Sequence, residues 1–311
     1  MSSTAINTRP FLARMWTLWG SALIHGISQI FFQINGFTGL LILAAFFTED
    51  WRMPILVVLG SLASSAGGRL LGESTARVHN GFQGFCGALV GAATFAALGG
   101  QAASFPIAVV GGLLCAPVTW CVQWLFTHKP LAPLRLPPTT APFCIVATVI
   151  LVSTPWLHVH EPLGLAAESR PSAFFESLLT NISQVVLVDS VWGGALILLA
   201  LFVANWKVGV AALIGSTVGS VAAIVLNLGL ERTVNGLTGY SGVLTAIAFA
   251  VVFVRGTWTP WLLAAWGATV TAFATLLMEQ VVGPTYTWPY ILSTWAGLVF
   301  VDLVPGLRRA L

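Results

Sequence analysis

The chain has 311 residues, of which 57% are hydrophobic and only 7% charged, and its mean hydropathy is +0.90. Soluble domains carry about 25% charged residues, so this composition excludes a soluble globular protein and puts the chain in a bilayer. A net charge of +3 without any basic run gives no footprint for nucleic acid.

Apolar stretches predict helices near 15–34, 36–48, 53–71, 81–100, 104–126 and 141–157, then near 174–189, 191–204, 208–229, 236–254, 258–278 and 288–304. A span needs roughly 20 apolar residues. The stretches 36–48 and 191–204 fall short, so the expectation is an all-α polytopic protein with about ten full spans plus short re-entrant helices lining a cavity. Pro130, Pro133, Pro137, Pro138 and Pro142 mark a loop over 127–142. A polar segment carrying His158, His160, Glu161, Glu168 and Arg170 separates two halves. The expected division is a first membrane repeat 1–155, a linker 156–173 and a second membrane repeat 174–311. Arg9, Arg14, His128, Lys129, Arg135, Arg308 and Arg309 put their segments, both termini included, on the cytoplasmic side by the positive-inside rule. No cleaved signal peptide is expected, because the first apolar stretch holds an element that the second half repeats.

That repeat is the main organisational signal. Residues 26–91 align without a gap on 181–246 at an offset of 155, with 20 identities in 66 positions. Ile27-Ser28-Gln29 falls on Ile182-Ser183-Gln184, Trp51 on Trp206, Arg77 on Arg232, and Asn80-Gly81 on Asn235-Gly236. Gly84, Gly87 and Leu89 fall on Gly239, Gly242 and Leu244. Thr140-Ala141-Pro142-Phe143 is matched further on by Thr287-Trp288-Pro289-Tyr290, at a shorter offset. Duplication of this kind in a membrane protein points to two halves around one pathway.

Three motif blocks supply candidate pathway residues. Gln29 and Gln184 are amides inside apolar stretches, each three residues ahead of an apolar side chain, Phe32 or Leu187. An unsatisfied buried amide costs roughly 1–3 kcal/mol on protein scales, so each must face a partner or a solvated passage. The Asn-Gly-x-x-Gly-aromatic blocks contribute Phe82 and Phe85 in one half, Leu237 and Tyr240 in the other. Read as helices, they place Phe82, Phe85 and Leu89 on one face, and Leu237, Tyr240 and Leu244 on another, two stripes able to wall a flat slot. The glycines spaced by three, Gly81, Gly84, Gly87 and Gly236, Gly239, Gly242, predict close helix packing. Thr140 and Thr287, each two residues before a proline that removes a backbone donor, are placed to offer oxygens near the pseudo-symmetry axis.

Other chemistry is thin. Cys86, Cys115, Cys121 and Cys144 show no CxxC spacing and read as small apolar fillers. The five histidines form no HExxH pattern, and His158-x-His160-Glu161 reads as a solvated loop rather than a metal site. Neither a catalytic residue, a metal nor a cofactor is expected.

The block from Gln29 through Asn35-Gly36-Phe37-Thr38-Gly39-Leu40-Leu41-Ile42-Leu43, the Asn80-Gly81-Phe82-Gln83-Gly84-Phe85 block and the Thr-x-Pro-aromatic pair resemble the urea transporter family, over about residues 20–305. The resemblance implies two inverted halves, each of five spanning helices and one tilted pore helix, assembled as a homotrimer in membrane lipid with one pore per subunit. It further implies passive movement of urea through a filter in which Gln29 and Gln184 accept urea amide hydrogens. Phe32, Phe85, Leu89, Leu187, Leu237, Tyr240 and Leu244 would form slot walls, and Thr140 with Thr287 the central threonines. The bacterial inner membrane is the expected location, since the chain is short and lacks long regulatory tails.

The residues agree with that implication. Urea is planar and neutral, with four N–H donors flanking one carbonyl, so apolar walls must hold its faces and oxygens must replace water along its edge. Asn35-Gly36 and Ser190-Val191 stand where the family has Asn-Pro, and Tyr240 stands where it has phenylalanine. An ion-coupled transporter, or one of broader specificity for ammonia, short amides or water, is the alternative. Coupling would use His25, Arg69, Glu73, Glu176, Asp189, Glu231 or Glu279, and none of the acidic or histidine positions is repeated at its partner position.

Overall fold

The computed structural model describes residues 9–159 and 164–310. Fourteen helices follow one another: α1 (Arg9–Gln29), α2 (Gly36–Phe46), α3 (Met53–Leu70), α4 (Thr75–His79), α5 (Gly84–Leu98), α6 (Ser104–Thr127) and α7 (Ala141–Ser153), then α8 (Arg170–Ser183), α9 (Val191–Ala204), α10 (Trp206–Val225), α11 (Leu230–Val234), α12 (Tyr240–Ile247), α13 (Thr259–Val282) and α14 (Trp288–Leu303). The same order of long and short elements therefore recurs. A two-residue antiparallel pair, β1 (Val254–Arg255) with β2 (Arg308–Arg309), ties the C-terminal segment back to the end of α12.

Among the described residues four helices are long and apolar enough to cross a bilayer, α3, α6, α10 and α13, and the bent pair of α8 and α9 makes a fifth if counted as one span. Several of the expected spans are shorter or broken helices. The reason lies in local breaks. At 1.5 Å per residue, the 15 residues of α5 and the 13 of α7 cover only about 20–22 Å, short of a hydrocarbon core of about 30 Å. The chain is a multi-pass, all-helical membrane protein whose interior contains many broken or short segments.

The breaks are built the same way in both halves. After Gln29 and Gln184 the chain makes one 3-10 turn and enters the left-handed region at Phe32 (φ 61°) and Leu187 (φ 62°). A side chain there is strained by roughly 1–3 kcal/mol. The next helix then starts on a side-chain cap: Asn35 accepts from the Thr38 N–H at 2.9 Å, and Ser190 accepts from the Gly193 N–H at 3.1 Å. Asn35-Gly36 and Ser190-Val191 thus begin α2 and α9 without a proline, the cap supplying the start signal.

Small residues let the long helices touch. A side chain on Gly87 would overlap the backbone of Gly60 on α3, and one on Gly215 would overlap the backbone of Gly242 on α12. The packing reading of the repeated glycines holds for Gly84 and Gly87 on α5. Gly81 and Gly236 also approach the backbones of α1 and α8 closely, but from the preceding turns rather than from a helix, with φ of 79° and 70°, where an L side chain is disfavoured. The two halves meet through α2 and α9, where the Thr38 hydroxyl donates to the Ala200 carbonyl at 3.1 Å. Of the linker, His160 and Glu161 lie outside the described residues.

Candidate functional site

The two glutamines sit at the ends of α1 and α8, with 9% and 7% of their surface exposed. Gln29 donates from Nε2 to the Asn80 carbonyl at 3.2 Å. Gln184 donates from Nε2 to a carboxylate oxygen of Asp189. Both partners are acceptors only, so chemistry fixes which end of each amide is nitrogen. In each case the amide oxygen is the end left for another donor.

A cavity of about 680 Å³ opens beside Gln29. It brings together six of the twelve residues singled out from the sequence, Gln29, Phe32, Phe82, Phe85, Thr140 and Leu244, drawn from both halves. Phe32 makes edge-to-face contacts with Phe253 at 6.0 Å and Tyr290 at 6.3 Å between ring centres. These two also line the cavity. Arg77 stacks over Phe82 at 5.2 Å, which puts a cation at the same cavity. The repeat signalled Tyr290, as the aromatic of the Thr-x-Pro-aromatic block; no local pattern singled out Phe253.

The stripes expected on helix faces are not formed as expected. Phe82 and Leu237 precede α5 and α12, which start at Gly84 and Tyr240, because Gly81 and Gly236 turn the chain before the helices begin. The walls also exchange members. Leu244 joins Gln29, Phe32 and Phe85, whereas Leu89, fully buried, does not line this cavity.

At the inner end, Thr140 and Thr287 cap α7 and α14 with nearly identical backbone angles, φ −93° and ψ 13° or 16°. Neither hydroxyl turns back onto its own helix; they bond to each other at 2.7 Å. Pro142 and Pro289 occupy the first turns of their helices, where a missing N–H costs nothing. So the prolines start the helices rather than disturb a ladder. The Cys144 thiol lies 3.1 Å from the Thr287 oxygen, so this cysteine touches the polar pair as well as filling core. Cys86 and Cys115 are buried and Cys121 is exposed.

The remaining six residues, Leu89, Gln184, Leu187, Leu237, Tyr240 and Thr287, do not line the cavity. On their side the Tyr240 hydroxyl donates to the Tyr286 carbonyl at 2.7 Å and lies 3.2 Å from the Thr285 hydroxyl. Tyr286 is in the left-handed region, φ 43°, as is its repeat counterpart Thr139, φ 51°. The added hydroxyl is thus bonded to the backbone across the slot position.

Most of the charged groups that coupling would use have local partners. Glu73 pairs with Arg77 at 3.1 Å, and Glu279 pairs with Arg232. His25 bonds to the His79 carbonyl at 2.8 Å, a contact that Thr180 makes to Val234 in the second half. Glu176 accepts from the Ser172 hydroxyl at 2.8 Å. Among the described residues no group of three metal-ligating side chains gathers.

Fold and site together define a multi-pass membrane transport protein, with an internal cavity leading to a buried pair of hydroxyls. A family profile described as "Urea transporter" matches residues 21–302. Urea transporter 1 of Rattus norvegicus is 27% identical over 306 aligned positions, covering 92% of this chain and 78% of that protein. Urea transporter 1 of Ovis aries and of Capra hircus are each 26% identical over the same shares. The chain belongs to the urea transporter family, whose members are transporters and not enzymes.

Proposed function

We propose that this chain moves urea passively through a narrow slot, with no coupled ion. The observation that carries this reading is the pair of glutamines whose nitrogens are tied to acceptors and whose oxygens are left for a solute. Urea entering past Gln29 would exchange water for that oxygen while Phe32 and Phe85 hold its faces, then meet the Thr140–Thr287 hydroxyls, and leave past Gln184, Leu187 and Tyr240. Leu89, Leu237, Phe82 and Leu244 complete the walls. Each replaced hydrogen bond removes roughly 1–3 kcal/mol of desolvation barrier.

The reading includes two inverted halves, divided at residues 156–173, each of five spans and one tilted pore helix. Its support is the repeated element order and the matched strain at Phe32 and Leu187. A homotrimer with one pore per subunit, set in the inner membrane with cytoplasmic termini, accords with the family and with the charge pattern of the loops.

Stopped-flow light scattering on proteoliposomes tests the mechanism. Passive transport predicts equal urea rates with and without an imposed proton or sodium gradient. Accumulation of urea against its own gradient, driven by either ion, would replace it with the coupled reading.

A further inference from the structure

The two glutamines are held differently. Gln29 is anchored by a main-chain carbonyl, which no side-chain substitution removes, whereas Gln184 is anchored by the side chain of Asp189. At the position equivalent to Asp189 the first half carries Ile34, half-exposed and without a polar atom. Asp189 is itself fixed by the other half: its N–H donates to the Glu49 carboxylate at 2.7 Å, across 140 positions of sequence. Glu49 follows α2, and Thr48 beside it packs against Gly193 in the first turn of α9. The loop that ends α2 therefore sets the start of α9 and the carboxylate that faces Gln184.

We propose that Asp189 is the positioning residue of the second filter glutamine, and that Glu49 of the opposite half holds it there. A carboxylate accepts but cannot donate, so it draws the Gln184 Nε2 to itself and leaves Oε1 as the end offered to the solute. Without it the amide is free to turn over. An NH₂ group would then meet the N–H donors of urea, donor against donor. The inference rests on the filter reading above, and the experiment separates the two.

Urea permeability is measured for Q184L, D189L, D189N, E49A and the double variant Q184L/D189L, each reconstituted after elution as a single symmetric peak, with water permeability as the parallel readout. D189L is expected to slow urea about tenfold, the effect of one mis-set hydrogen bond, while water permeability stays within about twofold. D189N keeps an acceptor oxygen and is expected to retain most of the rate. E49A falls between, about threefold slower. Q184L/D189L is expected to match Q184L alone, since the two act as one unit. If D189L does not yield folded protein, D189S, too short to reach Gln184, is expected to give the same loss. A slow Q184L beside a wild-type rate in D189L or D189S overturns the positioning role and leaves the filter intact. A D189N as slow as D189L also overturns it, pointing to charge rather than orientation. An unaffected Q184L removes the filter reading itself.

Discussion

The two ends of the proposed pathway use the same turns and different side chains. On one side Gln29, Phe32 and Phe85 open onto a cavity of about 680 Å³; on the other, Gln184 is tied to the Asp189 carboxylate and the Tyr240 hydroxyl to the Tyr286 carbonyl. The φ angles at Phe32 and Leu187, and both backbone angles at Thr140 and Thr287, agree within a few degrees. The comparison teaches that duplication preserved the turn geometry that places the oxygens, while the groups between them diverged. What differs between the ends is therefore the anchoring of the side chains rather than the turns that carry them.

Breaking the shared architecture is expected to have the largest effect. Gly87→Val puts a branched side chain into the Gly60 backbone, at the closest approach of α3 and α5, and overpacking against backbone is poorly tolerated. Membrane-extracted G87V should lose the monodisperse peak that the wild type gives in size-exclusion chromatography. Gly72→Ala, where a side chain would meet open space, gives the contrast: φ of 90° makes it strained, so a modest loss of thermal stability with normal elution is expected.

Next in size is the effect of the Tyr240 hydroxyl. Tyr240→Phe removes the hydroxyl that bridges to Tyr286 and makes the second end resemble the first. Losing one buried hydrogen bond costs about 1 kcal/mol of stability, read as a lower melting temperature. Urea permeability should rise a few-fold because a carbonyl is freed along the path. A slower Y240F would show that the hydroxyl serves the solute instead of blocking it. The smallest effect is expected at Cys144→Ala, which removes one contact to Thr287. It leaves the Thr140–Thr287 bond in place, so urea permeability should change less than about twofold.

Much of this was legible in the sequence because it was written twice. The repeat marked Gln29 with Gln184 and Thr140 with Thr287, and it flagged Tyr240 as the odd member. Helix starts were less legible. Gly81 and Gly236 read as helical in a three-residue rhythm, yet their positive φ ends one turn before the next helix begins, which displaced Phe82 and Leu237 from the expected faces. Nor does spacing along one segment reveal that Leu244 crosses to the first half's cavity, since that depends on how the halves pack. Asp189 reads in sequence as a charge within an apolar stretch; its hold on Gln184 emerges only when the chain turns back at Leu187.

The central claim is that two oriented amide oxygens carry urea across the chain's apolar interior. Stopped-flow urea permeability of the wild type, Gln29→Leu and Gln184→Leu in matched proteoliposomes tests it most directly. Each oxygen replaces water bonds worth roughly 1–3 kcal/mol, which predicts a loss of about 5- to 150-fold in either variant, with water permeability much less changed. Wild-type urea permeability in both variants would contradict the account.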